Sequence, residues 1–371
     1  MNALERFLGC MRFEEVDRVP YWWFGAWRST LERWYGEGMP RDVHQEVFFG
    51  FDRHEVLPIR TGMVPPFRPV PVSEDVTSRT MIDDRGVRVR ELKERTETSM
   101  PQFLDFPVRE RKDFLEMKRR YDPRSPLRFP PWWRDDARLL RLRRHPIAIY
   151  GGRDMGFFGP VRGWTGLKRL LVLFHTDPGL VHEMMDFLAE FYVDIIETAL
   201  ADTQIDYCIF WEDMAYKTGP LISPRQFEEF MVPYYRRVTG VLRDAGVETI
   251  MVDSDGNIED LIPLWLKGGV NTFYPLEVQA GMDPVALRKE YGRRIGLIGG
   301  IDKRTFARDE EAIEREVRSK VPYLVSKGGF IPTPDHSIPP DVSLSNFQYY
   351  LKLVREAAEN CPAVTYLRVH G

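Results

Sequence analysis

From about residue 147 onward, short runs of β-branched and aromatic residues alternate with longer segments whose apolar positions recur every three to four residues. That is the pattern of parallel strands joined by crossover helices. The short runs predict strands at 147–150, 206–211, 248–252, 272–274, 295–298 and 329–331. Between them, 178–200 and 224–245 read as amphipathic helices, the second opened by Ser223 as N-cap with Pro224 in the first turn. Two further runs, VPYWWF at 19–24 and VTYLR at 364–368, bring the count to about eight. Eight strands suit a closed (β/α)8 TIM barrel of class α/β. A doubly wound open sheet is the main rival, but no predicted strand is followed by the GxGxxG turn that such a sheet uses for dinucleotides.

The stretch from about 55 to 140 departs from this alternation and is rich in Arg, Pro and Asp. Within it, TMIDDRGVRVRELK at 80–93 alternates about Asp84-Arg85-Gly86 as an antiparallel hairpin would. The stretch is expected to be an inserted cap on a single domain spanning 1–371, either a lid that shapes the substrate pocket or a cover for an edge or dimer contact. With 371 residues, 43% of them apolar and 13% aromatic, the chain has material for one large core.

Charge and cysteine content narrow the function classes. Lys and Arg number 52 against 56 Asp and Glu, a net charge of -4, so no basic excess is available to neutralise a nucleic-acid backbone. The three cysteines, Cys10, Cys208 and Cys361, are widely spaced and form no CxxC, which excludes a disulfide framework and a thiolate zinc cluster. No secretory leader and no run of roughly 20 apolar residues is found, so a cytoplasmic protein without a membrane span is expected. GxxxxGK[ST], GxSxG and HExxH are absent, which sets aside P-loop hydrolysis, the α/β-hydrolase triad and zincin proteolysis.

In a parallel barrel the chemistry sits just past the strand ends. There the chain is polar: Glu212 and Asp213 follow one predicted strand, Asp253, Ser254, Asp255 and Gly256 another, Glu277 a third, Asp302 and Lys303 a fourth, Asp335 and His336 a fifth. Asp253 and Asp255, two apart, are expected to project to one side with Cα atoms roughly 7 Å apart. Together with His336 they offer two oxygens and one nitrogen to an ion such as Zn²⁺, with Glu212 the natural fourth ligand. The structural alternatives are a helix cap at Asp253, an Asp255-Gly256 turn and a loop hydrogen bond at His336. Gly299-Gly300 with Lys303 suits close approach of an anionic ligand, and equally a tight strand-to-helix turn in which Asp302 caps the next helix. Trp22, Trp23, Phe24 and Trp27 read as packing, with Arg28 beyond them placed to bind an acidic group and Tyr274 at a strand end to contact substrate. His44, His54, His145, His175, His182 and His370 lack metal-ligand spacing.

Five passages resemble the uroporphyrinogen decarboxylase superfamily, which includes corrinoid-dependent methyltransferases: VDRVPYWWF from Val16, TGPLISPRQFEEFMVPY from Thr218, VDSDGNIEDLIP from Val252, GLIGGIDK from Gly296 and GGFIPTPDHSIPPDVSLSN from Gly328. The resemblance implies a barrel enzyme. Where the decarboxylase branch carries an RQAGRY-like motif, this chain reads FGAWR at 24–28, with Arg28 alone. Where methyltransferase relatives carry His-x-Cys-Gly, it reads Asp253-Ser254-Asp255-Gly256. Carboxylate and imidazole ligands make a harder zinc site than thiolates, suited to an oxygen atom. The resemblance therefore implies methyl transfer from a methoxy substrate to the cobalt of a corrinoid carried by a separate protein, with Glu212 or Asp213 completing coordination or protonating the departing oxygen. The alternatives are a metal-free decarboxylase, in which Asp253 or Asp255 would bind pyrrole N–H groups, and a non-catalytic corrinoid- or tetrapyrrole-binding protein. A homodimer is the default assembly.

Overall fold

A computed structural model describes residues 1–94 and 100–359. Cys361, His370 and the strand expected at 364–368 lie outside the described residues. Thirteen strands occur within them: β1 Glu55–Val56, β2 Val70–Glu74, β3 Ser78–Ile82, β4 Arg88–Leu92, β5 Gln102–Asp105, β6 Ile147–Tyr150, β7 Tyr207–Trp211, β8 Ala215–Tyr216, β9 Gly219–Pro220, β10 Thr249–Asp253, β11 Thr272–Tyr274, β12 Gly296–Ile298 and β13 Phe330–Ile331.

Seven of these form one parallel sheet in the order β1-β6-β7-β10-β11-β12-β13, and from β6 onward the spatial order follows the chain. Each crossover carries a helix that covers the sheet, which is why the strands are buried and read as continuous apolar runs. The longest, Pro178–Asp202, buries Leu180, Met184, Met185, Leu188, Phe191, Tyr192, Ile195 and Ile196, a stripe at helical spacing. Removing such side chains from water contributes about 1.5–3 kcal/mol each, so this face fixes the helix against the sheet.

Residues 19–24 form no regular strand, but the chain there is extended and bonded on both flanks. The Tyr21 carbonyl accepts from the Asp52 N–H just ahead of β1, and the Gly25 carbonyl accepts from the Ile338 N–H beyond β13. Ala26 and Ile338 form an isolated parallel bridge. The arrangement is α/β with a parallel half-barrel sheet, consistent with a TIM-like fold.

Two expectations need correction. Glu55–Val56, within the stretch read as an insertion, pairs parallel with β6 and belongs to the main sheet; at two residues it is too short to leave a periodic signal. The helix expected over 224–245 is two helices, Pro224–Phe230 and Val232–Asp244, because Pro233 removes an N–H donor and its ring crowds the preceding turn. The Ser223 cap is as expected, reciprocated by Gln226.

The hairpin expected at 80–93 is present as β3 and β4, and β2 and β5 extend it to a four-stranded antiparallel sheet. Its tip is built by Asp83, whose Oδ1 accepts from the N–H groups of Arg85 (3.0 Å) and Val87 (2.8 Å).

Candidate active site

Parallel register aligns Trp211, Asp253 and Tyr274 side by side at the ends of β7, β10 and β11. The residues following these strands therefore share one mouth, the expected place for chemistry. Asp213, Asp253 and Asp255 meet there, close enough for each charge to act on the next. Asp253 Oδ2 accepts from the Tyr150 hydroxyl at 3.0 Å, a bond reaching across from the end of β6. Burial, then the charges of Asp213 and Asp255, push the Asp253 carboxyl up to about 8, the Tyr150 bond pulling weakly the other way. Asp253 is thus held toward its protonated form at neutral pH.

Asp213 is raised by burial and by Asp255. Its backbone adopts a left-handed φ of 46°, unusual for a residue with a side chain, and its Oδ1 lies 3.5 Å from the Asp255 N–H. Arg162 steadies it: the guanidinium donates to the Asp213 carbonyl, lies 3.9 Å from its carboxylate and sits 5.2 Å above the Trp211 ring. Asp255 and His336 are half-buried neighbours, Oδ2 to Nε2 3.5 Å. The His336 Nδ1 accepts from the Ser337 N–H at 2.8 Å, which leaves Nε2 facing Asp255. Phe24 packs on Tyr274 (5.1 Å between ring centroids) and on His336 (5.4 Å), so the aromatic run at 22–27 contributes Phe24 to the mouth and Trp22 to the core.

Glu212 stands apart from the expected ligand set. It is wholly buried, and its two oxygens accept from the N–H groups of Phe157 (2.8 Å) and Gly159 (2.8 Å) and from the Tyr235 hydroxyl. Burial pushes its carboxyl up to about 7 against the pull of these three donors. Its oxygens are spent on fixing the start of the helix Phe158–Thr165. Among the described residues, no group of three or more His, Cys, Asp or Glu is placed to hold a metal ion. The quartet Asp253, Asp255, His336 and Glu212 is therefore not assembled: Asp253 is engaged by Tyr150 and Glu212 faces the interior.

Lys303 is partly buried, and its backbone N–H donates to Asp335 Oδ1 at 3.1 Å. Asp335 also accepts from the Val278 N–H, so it ties the loops after β11 and β12 together. Asp302 caps the turn Lys303–Ala307. Gly299, at φ 102°, has no room for a Cβ, which would collide with the Pro275 carbonyl; tight loop packing accounts for the glycine there. Arg28 is exposed at the start of the helix Arg28–Gly36.

Sequence reasoning missed Tyr150, Arg153 and Arg162. Tyr150 is the last residue of a correctly placed strand, so the rule that found Asp253 would have found it. Arg153 and Arg162, the former 5.7 Å over the Trp211 ring, arise from the segment after β6 and carry no local signal.

Residues 161–357, more than half of the chain, match the family described as Uroporphyrinogen decarboxylase (URO-D). The chain belongs to the uroporphyrinogen decarboxylase (URO-D) family. Among curated relatives of this URO-D chain, uroporphyrinogen decarboxylase of Syntrophotalea carbinolica is 23% identical over 69% of this chain and 73% of the relative. That of Legionella pneumophila is 24% identical over 51% of each. A solved methyltransferase from Methanosarcina mazei shares the fold, with a TM-score of 0.62 at 14% identity over 96% of this chain and 99% of that one. The URO-D fold thus accounts for the parallel sheet and for a mouth built from loops after successive strands.

Proposed function

We propose that the chain is an enzyme of the methyltransferase branch of its family, moving a methyl group from an oxygen-linked substrate to the cobalt of a corrinoid carried by a separate protein. The observation that carries this reading is Asp253: a carboxyl kept protonated at neutral pH at the end of β10, oriented by Tyr150 and flanked by two further carboxylates. Breaking an O–CH3 bond leaves the electron pair on oxygen, and an alkoxide or phenoxide is a poor leaving group unless it gains a proton. Asp253 donates that proton, while Tyr150, bonded to its other oxygen, holds the carboxyl in one orientation. A corrinoid carried by a partner protein would supply the Co(I) nucleophile for the methyl group. Asp255 and His336 then bind or orient the departing oxygen. The zinc ion expected from the residue types does not fit the arrangement in the described residues, and no step here depends on it. In this reading residues 19–24 are the eighth stave of a closed barrel, and the four-stranded antiparallel sheet is a cap over its mouth.

Decarboxylation is the competing reading, favoured by the names of the two curated relatives. The same acid would then deliver a proton to carbon. Two features weigh against a tetrapyrrole: the carboxylates of Asp213 and Asp255 at the mouth would repel a polyanion, and the cavity beside Tyr150, about 480 Å3, has the size of a small-molecule pocket. The test is single-turnover methyl transfer from methoxylated aromatics to free cob(I)alamin, followed by absorbance, with CO2 release from uroporphyrinogen measured in parallel. Methyl transfer lost in Asp253→Asn supports the proposal. CO2 release without methyl transfer would reassign the enzyme, and no turnover with ligand affinity unchanged in the variant would make it a binding protein.

A further inference from the structure

The cavity of about 480 Å3 beside the mouth is bounded by Tyr150, which ends β6, by Asp154 beyond it, and by Asp84 and Arg85 at the hairpin tip. Ile59, Met63 and Pro66 supply apolar wall, and Arg60 a second cation. Tyr150 is the residue whose hydroxyl bonds Asp253, so one side chain lies between the cavity and the carboxylate cluster.

The hairpin tip is fixed in this position. The Phe67 N–H donates to the Asp84 carbonyl at 2.8 Å, and the Phe67 ring fills the space where any side chain at Gly86, with φ 79°, would lie. Arg120 holds Phe67 in turn, its guanidinium 4.0 Å above the ring and donating to the carbonyls of Pro65 and Pro66. Buried Arg128 donates to the carbonyls of Arg60 and Gly62, so the segment after β1 that forms the cavity wall is fixed as well. Arg85 itself reaches Asp83 only at 3.4 Å and remains about a third exposed. The Thr61 hydroxyl, 2% exposed and lining the cavity, has no hydrogen-bond partner among the described residues. A partly exposed guanidinium on a fixed hairpin tip, an apolar wall, an unmet Thr61 hydroxyl beside Gly151, and Tyr150, whose hydroxyl bonds Asp253, line one cavity and suit a small molecule with an anionic end and an apolar body. Of the two acids lining it, Asp154 is raised by burial, with the Arg85 charge pulling the other way.

We propose that Arg85 is a specificity-determining residue: the hairpin tip receives the carboxylate of a small aromatic substrate and so points its oxygen-linked group toward Tyr150 and Asp253. This rests on the methyl-transfer reading for the reactive end, but the anionic end is testable without turnover. The probes are 4-methoxybenzoate, its neutral isostere 4-methoxybenzamide, and benzoate, titrated calorimetrically into the full chain as wild type, Arg85→Gln and Arg85→Lys. The wild type is expected to prefer the methoxy carboxylate over the amide by roughly tenfold or more, with the preference shrinking as salt is raised. Arg85→Gln should remove the preference by weakening the carboxylate alone, and Arg85→Lys should keep part of it, which separates charge recognition from a misfolded tip. Equal wild-type affinity for carboxylate and amide, equal loss of both in Arg85→Gln, or no binding of any probe at millimolar concentration would overturn the proposal. If benzoate and 4-methoxybenzoate bind alike while the Arg85 effect persists, the methoxy reading fails and the anionic end stands.

Discussion

Asp52 and Asp253 are the same residue type withdrawn from water at opposite ends of the sheet, and they have opposite surroundings. Asp52, just before β1, accepts from the Arg6 guanidinium (2.8 Å), from both terminal nitrogens of Arg18 and from the Tyr21 N–H. Arg6 also binds Asp17, which that arginine and the N-terminal ammonium hold down to about 2 although burial alone would raise it. Among the described residues, the groups acting on Asp253 are Tyr150 and two other acids with no cation, and it is held up at about 8. A buried acid with matched cations ties segments together; a buried acid kept short of them keeps its proton and can give it away. The first end of the molecule is built for stability, the second for reactivity.

The largest expected effect tests that contrast directly. Asp253→Asn should lower methyl transfer by roughly 100-fold or more, the contribution of a positioned general acid, while leaving thermal stability at pH 7 unchanged or raised. Asp52→Asn should do the reverse, costing about 3 kcal/mol in chemical denaturation because it leaves Arg6 and Arg18 without their shared counter-charge. If both variants lose stability alike, the functional end is not strained and the comparison breaks.

Next in size is the pH response. An acid at about 8 is protonated below that value, so turnover should be flat up to about pH 7 and fall near tenfold per unit above pH 8. Stability has its own sign. The native carboxyl titrates above its unfolded value near 3.8, so its favourable contribution is complete below that value and is lost as pH rises through about 8. Asp253→Asn is free of that loss, and its advantage over wild type in urea midpoints should grow between pH 4 and 8, reaching about 1–3 kcal/mol. A constant difference across that range would show that burial does not act on this carboxyl.

A smaller effect separates the neighbours Glu212 and Asp213. Glu212→Ala leaves two backbone N–H groups and the Tyr235 hydroxyl without acceptors and should destabilise by about 2–3 kcal/mol, whereas Asp213→Ala should cost under about 1 kcal/mol and act chiefly on turnover. The finest test is elemental analysis of protein purified without chelators, repeated on Asp255→Ala and His336→Ala. About one zinc per chain, lost in both variants, would mean that this pair closes on a metal after a rearrangement of Asp253, and would replace the acid-only reading.

The legibility of this protein in its sequence divides along a physical line. Periodicity placed β6, β7, β10, β11, β12 and β13 within a residue or so, because burial on both faces writes a continuous apolar run into each strand. The same positions located Asp213, Asp253, Asp255 and His336, since a parallel sheet puts every strand end on one rim. Local turn chemistry also gave the hairpin tip at Asp84-Arg85-Gly86 and the Asp302 cap. What each carboxylate does was decided elsewhere. Tyr150 and Asp253 are 103 residues apart, and Glu212 is turned inward by donors from Phe157, Gly159 and Tyr235 while Asp213, the next residue, turns out to the mouth. A side chain's role as anchor, acid or ligand depends on which partners the packed chain brings within 3 Å, and that is a property of tertiary structure which no local pattern encodes.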